Sequence, residues 1–139
     1  GLIDGEGTLM ITRWKGKASW KPQYRARISV SNTDRAVLVD VQRSFGGILA
    51  NQPPRDPRWK YSYQLVWTGR MAEPFLRRLL PDLQLKRNQA QILLEFIRHQ
   101  RSTRHGRLSD EVIAFREGLR LRMRKLNARG ATALTPART

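Results

Sequence analysis

Two carboxylates separated by one glycine lie close to the first residue of the chain. The opening run is Gly1-Leu2-Ile3-Asp4-Gly5-Glu6-Gly7. Glycine lacks a Cβ atom, so a helix that ends here would present a carboxylate where a second backbone or a ligand can approach closely. Acids are unfavourable at a helix C-terminus, because the helix dipole is negative there. A divalent cation bridging to phosphate oxygens would account for them, since magnesium binds one or two carboxylates together with substrate oxygens and water.

This run resembles the end of the LAGLIDADG homing endonuclease motif, which has the form apolar-apolar-Asp-Gly-(Asp or Glu)-Gly. The resemblance covers Gly1 to Gly7. It implies that Glu6 is catalytic and that Glu6 and the adjoining Gly5 bind the metal ion, Mg²⁺ or Mn²⁺ or Ca²⁺ in its place. It implies a structural role for Asp4. The family's motif helix begins well upstream, so we expect its N-terminal part to be missing from this sequence.

The charge of the chain predicts a polyanionic partner. Lys and Arg number 27 against 11 acids, a formal net charge of +16. Nucleic acid is favoured over membrane, because no apolar run approaches the length of a membrane span and no signal peptide opens the chain. There is no cysteine, which excludes disulfides and thiolate metal sites and fits an intracellular protein. The charge alone fits equally well a basic ribosomal-type RNA binder.

Two runs of alternating residues predict a first β-hairpin with an apolar and a polar face, over 8–14 and 23–31. Arginine and glutamine make bidentate contacts with guanine and adenine in the major groove, which is wide enough for a two-stranded ribbon. A solvated hairpin face is the alternative. The DNA-binding residues predicted here are Thr8, Met10, Thr12, Gln23, Arg25, Arg27 and Ser29.

A second hairpin is predicted over 48–50 and 59–68, with a proline-rich loop over 51–57 between the strands. Lys60, Ser62 and Gln64 occupy its polar face and are predicted to bind DNA. Two hairpins of matching polarity predict a curved four-stranded antiparallel sheet with helices on one face and the ligand on the other. Together with the resemblance, this predicts an α+β fold of the αββαββα plan, one domain over 1–130 and a basic, disordered tail over 131–139.

Four amphipathic helices are predicted to pack on this sheet. The first follows the capping cluster at 31–34 and ends at Gly46-Gly47, and the second begins near Met71 and is stopped by Pro81. The third opens at Leu85 and leads to a polar link over 100–107. The fourth has Ser109 as its N-cap and ends at Gly130. Its outer face is predicted to carry Arg116, Arg120, Arg124 and Lys125.

The resemblance adds three side chains to the predicted site. Asn32 occupies the place of a polar residue that helps to position the attacking water, although a simple capping role is equally open. Lys86 matches a lysine that points back to the active centre, where it would stabilise developing charge. Its alternative is a solvated lysine. Arg35 is the basic residue that follows the strand–helix junction, and it is predicted to bind DNA. His99 and His105 have too few ligands nearby for a His–metal nuclease, so we expect both to be solvated or to contact phosphate.

One motif per chain implies a homodimer, because the family builds its site from two such helices. The sequence thus predicts a Mg²⁺-dependent endonuclease that cleaves double-stranded DNA at a long, roughly palindromic target, with no small-molecule cofactor and no membrane partner. Two alternatives stay open. One is a catalytically inactive DNA- or RNA-binding relative, such as an intron splicing maturase or a transcription regulator, and the other is the ribosomal-type binder.

Overall fold

A computed structural model describes residues 7–14, 22–58, 60–103 and 109–138. Its strands are β1 (Gly7–Trp14), β2 (Gln23–Asn32), β3 (Ile48–Gln52) and β4 (Ser62–Thr68). Its helices are α1 (Arg35–Phe45), α2 (Ala72–Leu79), α3 (Arg87–Thr103) and α4 (Asp110–Arg138), with short 3-10 turns at Gly69–Met71 and Leu80–Asp82. The predicted α+β arrangement is confirmed.

The four strands form one antiparallel sheet in the order β1-β2-β4-β3. Each hairpin pairs its own strands, and β2 joins β4 at the centre, with Ile28 opposite Trp67 and Val30 opposite Leu65. Because side chains alternate along a strand, these pairs place one apolar row on the same face. That face carries Leu9, Ile28 and Leu65, all fully buried.

The helices cover this apolar face. Trp67 of β4 stacks on Phe75 of α2 at a ring-centroid distance of 3.8 Å, and its indole nitrogen donates to the Phe45 carbonyl at 3.1 Å. The turn after α1 comes close to the same ring. Gly47 has a φ of +102°, and a Cβ atom there would lie 2.9 Å from Trp67 Cε2. Glycine is therefore required by both backbone angle and space.

The helix starts follow from local capping. Asp34 caps α1, its side-chain oxygen accepting from the Ala36 amide at 3.0 Å, and Ser109 Oγ accepts from the Val112 amide at 3.2 Å at the start of α4. The Ser109 cap is confirmed. In the first helix the cap is Asp34, within the predicted cluster at 31–34.

Several element boundaries differ from prediction. The predicted loop over 51–57 begins two residues late, because Asn51 and Gln52 both pair with β4 and belong to β3. β4 begins at Ser62 instead of Trp59, and α3 continues to Thr103 into the predicted polar link. α4 runs past Gly130, since a glycine lowers helix propensity without stopping a long helix.

The predicted outer face of α4 is wrong in two places. Arg116 is only 6% exposed, and the Arg120 side chain is 13% exposed. α4 docks on the sheet through polar groups as well as apolar ones: Glu117 Oε2 accepts from the Tyr24 hydroxyl at 2.7 Å, and Asn127 Nδ2 donates to the Leu9 carbonyl at 3.0 Å. A prediction of the buried face of a helix from its apolar residues alone misses such polar contacts.

Candidate nucleic-acid interface

The polar face of the sheet is built from directly paired residues. Thr8 lies opposite Ser29, Met10 opposite Arg27 and Thr12 opposite Arg25. Directly opposite residues share a face of the sheet, and so do residues two apart in a strand. The structure therefore brings together on this face Thr8, Met10, Thr12, Gln23, Arg25, Arg27, Ser29, Ser62 and Gln64.

Two of the predicted DNA-binding residues lie elsewhere. Lys60 is exposed and precedes β4, at the sheet margin, and Arg35 is the exposed first residue of α1. The same face also holds two polar residues that the sequence did not single out. Ser31 Oγ donates to Gln52 Oε1 at 3.2 Å, and Ser62 Oγ donates to the Gln52 carbonyl at 3.3 Å. Extending the alternation of β3 to Gln52 would have found Gln52, and continuing that of β2 past Ser29 would have found Ser31.

Arg25 and Arg27 have different surroundings on β2. The Arg25 guanidinium lies 5.9 Å from the ring centre of Trp14, whose side chain is 54% exposed, at the open margin of β1. Arg27 lies nearer the middle of the sheet and donates from its terminal nitrogen to Gln64 Oε1 of β4 at 3.0 Å. Its Nε atom is buried and has no acceptor among the described residues.

Negative charge is excluded from this face. None of the described acids lies in a strand. Within the same part of the chain, neither Arg25 nor Arg27 forms an ion pair with a carboxylate. Guanidinium groups without a carboxylate partner are available for phosphate oxygens and guanine edges. The face thus has the electrostatic and hydrogen-bonding properties of a nucleic-acid surface.

Two of the predicted active-site residues, Asn32 and Lys86, lie at one end of the sheet. Gly7 begins β1 opposite Val30, and Asn32 lies two residues beyond Val30 on β2. Lys86, in the turn before α3, donates from Nζ to the Gly7 carbonyl and is partly buried. Gly7 follows Glu6 in the chain, so this contact brings Lys86 to the residue adjoining the second acid of the motif. Asp4, Gly5 and Glu6 lie outside the described residues.

Asn32 has a structural task in this arrangement. Its side-chain oxygen accepts from the Asp34 amide at 2.8 Å, forming a side-chain turn that leads into α1. The capping alternative therefore has direct geometric support, and a catalytic role for Asn32 stays a prediction.

The histidines contribute no metal site in the described chain. His99 packs against Phe115 at a ring distance of 4.2 Å, and its pKa is lowered by burial and by the nearby positive charge of Arg116. This differs from the expected solvated histidine, while His105 lies outside the described residues. No group of three or more metal-ligating side chains occurs in the described ranges.

None of the helices in the described part of the chain is both long enough and apolar enough to cross a membrane.

Comparisons with known proteins point to one family. The model of the LAGLIDADG endonuclease family matches residues 1–67. Among solved structures, the homing endonuclease I-CvuI in complex with an I-CreI target and magnesium superposes with a TM-score of 0.73 at 23% identity, covering 90% of this chain and 76% of that one. I-CvuI was also solved with its own target and calcium.

Two further structures share the fold. The archaeal intron-encoded homing endonuclease I-Vdi141I, complexed with DNA, has a TM-score of 0.73 at 17% identity and covers 90% of this chain and 79% of that one. I-GzeII, in complex with its DNA target, has a TM-score of 0.64 at 18% identity, and the match covers 88% of this chain and 41% of that one. No curated protein sequence matches. Over residues 1–67 the chain matches the LAGLIDADG endonuclease family, and over most of its length it shares the fold of these homing endonucleases.

Proposed function

We propose that this protein is a site-specific endonuclease that hydrolyses phosphodiester bonds in double-stranded DNA, dependent on a divalent metal ion and active as a homodimer on a long, roughly palindromic target. The observation that carries the proposal is the hydrogen bond from Lys86 to the Gly7 carbonyl. It joins residues 79 positions apart in sequence and sets an ammonium group at the end of the acidic motif.

DNA binding is assigned to the polar sheet face. The net charge of +16 favours a polyanion, and the face combines unpaired guanidinium groups with glutamine and hydroxyl side chains. I-CvuI and I-Vdi141I, which share the fold, were solved with DNA. Lys60, at the margin of the sheet, would contact phosphate, as would Arg35 at the start of α1.

The metal site is assigned to Glu6 and Gly5. One carboxylate with a neighbouring carbonyl suits magnesium, which keeps most of its coordination for substrate oxygens and water. When bound, the cation supplies charge neutralisation at the scissile phosphate and acidifies a coordinated water.

Lys86 is assigned to stabilisation of the transition state. It is partly buried and held by the Gly7 carbonyl, so its ammonium group is oriented before the substrate arrives. A preoriented positive charge in a partly desolvated site stabilises developing negative charge more than the same charge in water. Asn32 is assigned to the positioning of water at the same end of the sheet.

The proposed homodimer is supported by the comparison with a longer protein of the same fold. This chain spans 41% of I-GzeII, so the larger protein has room for a second unit of this size within one polypeptide. A chain with a single motif would need a second copy of itself to supply the other half of a site that acts on two strands.

The test separates binding from cleavage with isosteric variants. A duplex that the protein binds is first selected from a randomised library and then cloned into a plasmid. Glu6→Gln should retain affinity for this duplex and abolish cleavage in magnesium, and EDTA should abolish cleavage by the unchanged protein. Asp40→Asn is the matched control, because Asp40 is a well-exposed acid on α1 whose side chain is 78% exposed. It should cleave normally.

Three results would contradict the proposal in different ways. Magnesium-dependent nicking by Glu6→Gln would remove this carboxylate from the chemistry. Selective duplex binding without cleavage by the unchanged protein would favour a non-cutting relative. A monomeric protein–DNA complex in sedimentation experiments would exclude the homodimer.

A further inference from the structure

The contact between Arg27 and Gln64 determines which hydrogen-bonding groups the centre of the sheet can offer. Arginine has donors only, so the oxygen of the Gln64 amide must face it, as the 3.0 Å distance to Oε1 shows. The pair bridges β2 and β4, the two central strands of the sheet. One lone pair of the Gln64 oxygen is thereby used inside the protein, and the positive charge beside this oxygen disfavours the approach of a second donor.

We propose that Arg27 and Gln64 act as a single unit that presents mainly donors to duplex DNA and therefore selects guanine over adenine. The inference rests on the proposed DNA binding and adds the base preference of one position. It also makes the contributions of the two residues depend on each other.

The preference follows from the groups that each base exposes in the major groove. Guanine offers two acceptors, N7 and O6, whereas adenine offers one acceptor, N7, and one donor, the N6 amino group. A free glutamine binds adenine by using its oxygen and its amide nitrogen together. In this protein the Gln64 oxygen already lies against a guanidinium, so an adenine amino group brought to it would meet a second donor.

Arg27 is held in place by its surroundings before DNA binds. Its Nε atom is buried and has no acceptor in the described part of the chain, so the terminal nitrogens of the guanidinium would contact DNA. Arg27 lies opposite Met10 on one side and Thr68 on the other, so its stem is flanked by neighbouring strands. Holding the side chain before binding lowers the conformational entropy lost in the complex.

Arg25 supplies the internal comparison. It belongs to the same strand and face and lies near Trp14, and its guanidinium forms no hydrogen bond with a glutamine among the described residues. Arg25 is therefore expected to contact DNA independently of Gln64.

The experiment selects binding sites from a randomised duplex library in EDTA, so that no cleavage occurs, for the unchanged protein and for Arg27→Ala. The unchanged protein should show guanine at one position of each half-site, by about tenfold over adenine. Arg27→Ala should change that preference to adenine, because the Gln64 oxygen becomes free. Circular dichroism confirms that the variants are folded.

A double-mutant cycle on the selected duplex tests the dependence. Arg27→Ala and Gln64→Ala should each weaken binding, and together should weaken it by little more than the larger single loss. Arg25→Ala combined with Gln64→Ala is the matched control. The loss of affinity in this double variant should equal the product of the two single fold-losses.

The possible failures are distinguishable. If Arg27→Ala keeps the guanine preference and its loss multiplies with that of Gln64→Ala, the coupled unit is refuted while DNA binding stands. If the unchanged protein binds no duplex selectively, the proposed function fails and this inference fails with it.

Discussion

The arginines of the two sheet faces differ in their partners. On the helix-covered face, Arg13 of β1 lies 3.2 Å from Glu117 of α4, a carboxylate that also binds Arg120 at 2.6 Å. On the opposite face, Arg25 and Arg27 lie in the neighbouring strand and have no carboxylate partner within the described ranges. On the helix-covered face the positive charge is neutralised by an acid of the protein, whereas on the opposite face it is available to a ligand.

In the helical layer, too, arginines pair with a carboxylate. Glu73, at the start of α2, is buried and pairs with Arg77 one turn later and with Arg101 of α3. Its position at a helix N-terminus is favourable for an acid. Glu73 and Glu117 thus join helices to each other and to the sheet, and neither acid lies on the polar face.

The largest expected effect concerns the unpaired arginines. Replacing both Arg25 and Arg27 with alanine should weaken duplex binding by about a hundredfold, because each loses a charge-assisted contact. The free energy of unfolding should change by about 1 kcal/mol, because Arg25 is exposed and the main loss is the hydrogen bond between Arg27 and Gln64. Binding titrations and urea denaturation measure the two quantities. Arg77→Ala is the control, and an equal loss of affinity in that variant would erase the distinction between the faces.

The second prediction concerns the buried acid. Glu73→Ala should lower the free energy of unfolding by about 2 kcal/mol, less than for a fully buried pair because its arginines are half exposed and can be hydrated. Glu73→Gln should lose less, since the amide oxygen can still accept hydrogen bonds. Urea denaturation measures both, and the folded variants should bind duplex as tightly as the unchanged protein.

The third prediction concerns the pH dependence of the contacts that Glu117 makes with Arg13, Tyr24 and Arg120. Hydrogen bonds from Arg120 and Tyr24 lower the pKa of Glu117 from 4.5 to about 2, although partial burial opposes them. The stabilisation is therefore fully present above about pH 4.5 and is lost as the pH falls towards 2. The full shift corresponds to about 3 kcal/mol, and screening by solvent should leave about 1 to 2.

Glu117→Gln tests this dependence directly. The variant should be less stable than the unchanged protein at neutral pH, and the difference should shrink as both are titrated to low pH. Thermal unfolding at several pH values gives the curve. A difference that is constant with pH would show that the carboxylate charge is not responsible.

The smallest effect is expected for two cations of one loop, Arg58 and Lys60. Arg58 pairs with Asp56 at 2.7 Å, whereas Lys60 is exposed and has no ion pair in the described residues. Lys60→Ala should weaken duplex binding about threefold for all sequences and make the salt dependence less steep by about one unit. Arg58→Ala should change the slope less. Titrations at several salt concentrations decide between them.

The sequence was informative wherever the signal was local. Alternation along 23–31 correctly separated the core side chains Tyr24, Ala26 and Ile28 from the arginines between them. The acid-glycine motif alone was enough to indicate the family resemblance. The same local signals failed for Arg116 and Arg120, whose burial depends on what packs against α4.

The sequence by itself determined the two-faced strands, the positive charge and the acidic motif, because periodicity and composition are properties of neighbouring residues. Only the tertiary structure decided that β4 lies beside β2, that Lys86 reaches Gly7 and that Gln64 holds Arg27. These contacts join residues 37 and 79 positions apart. Such pairings depend on strand order and helix packing across the whole core, which no local pattern encodes.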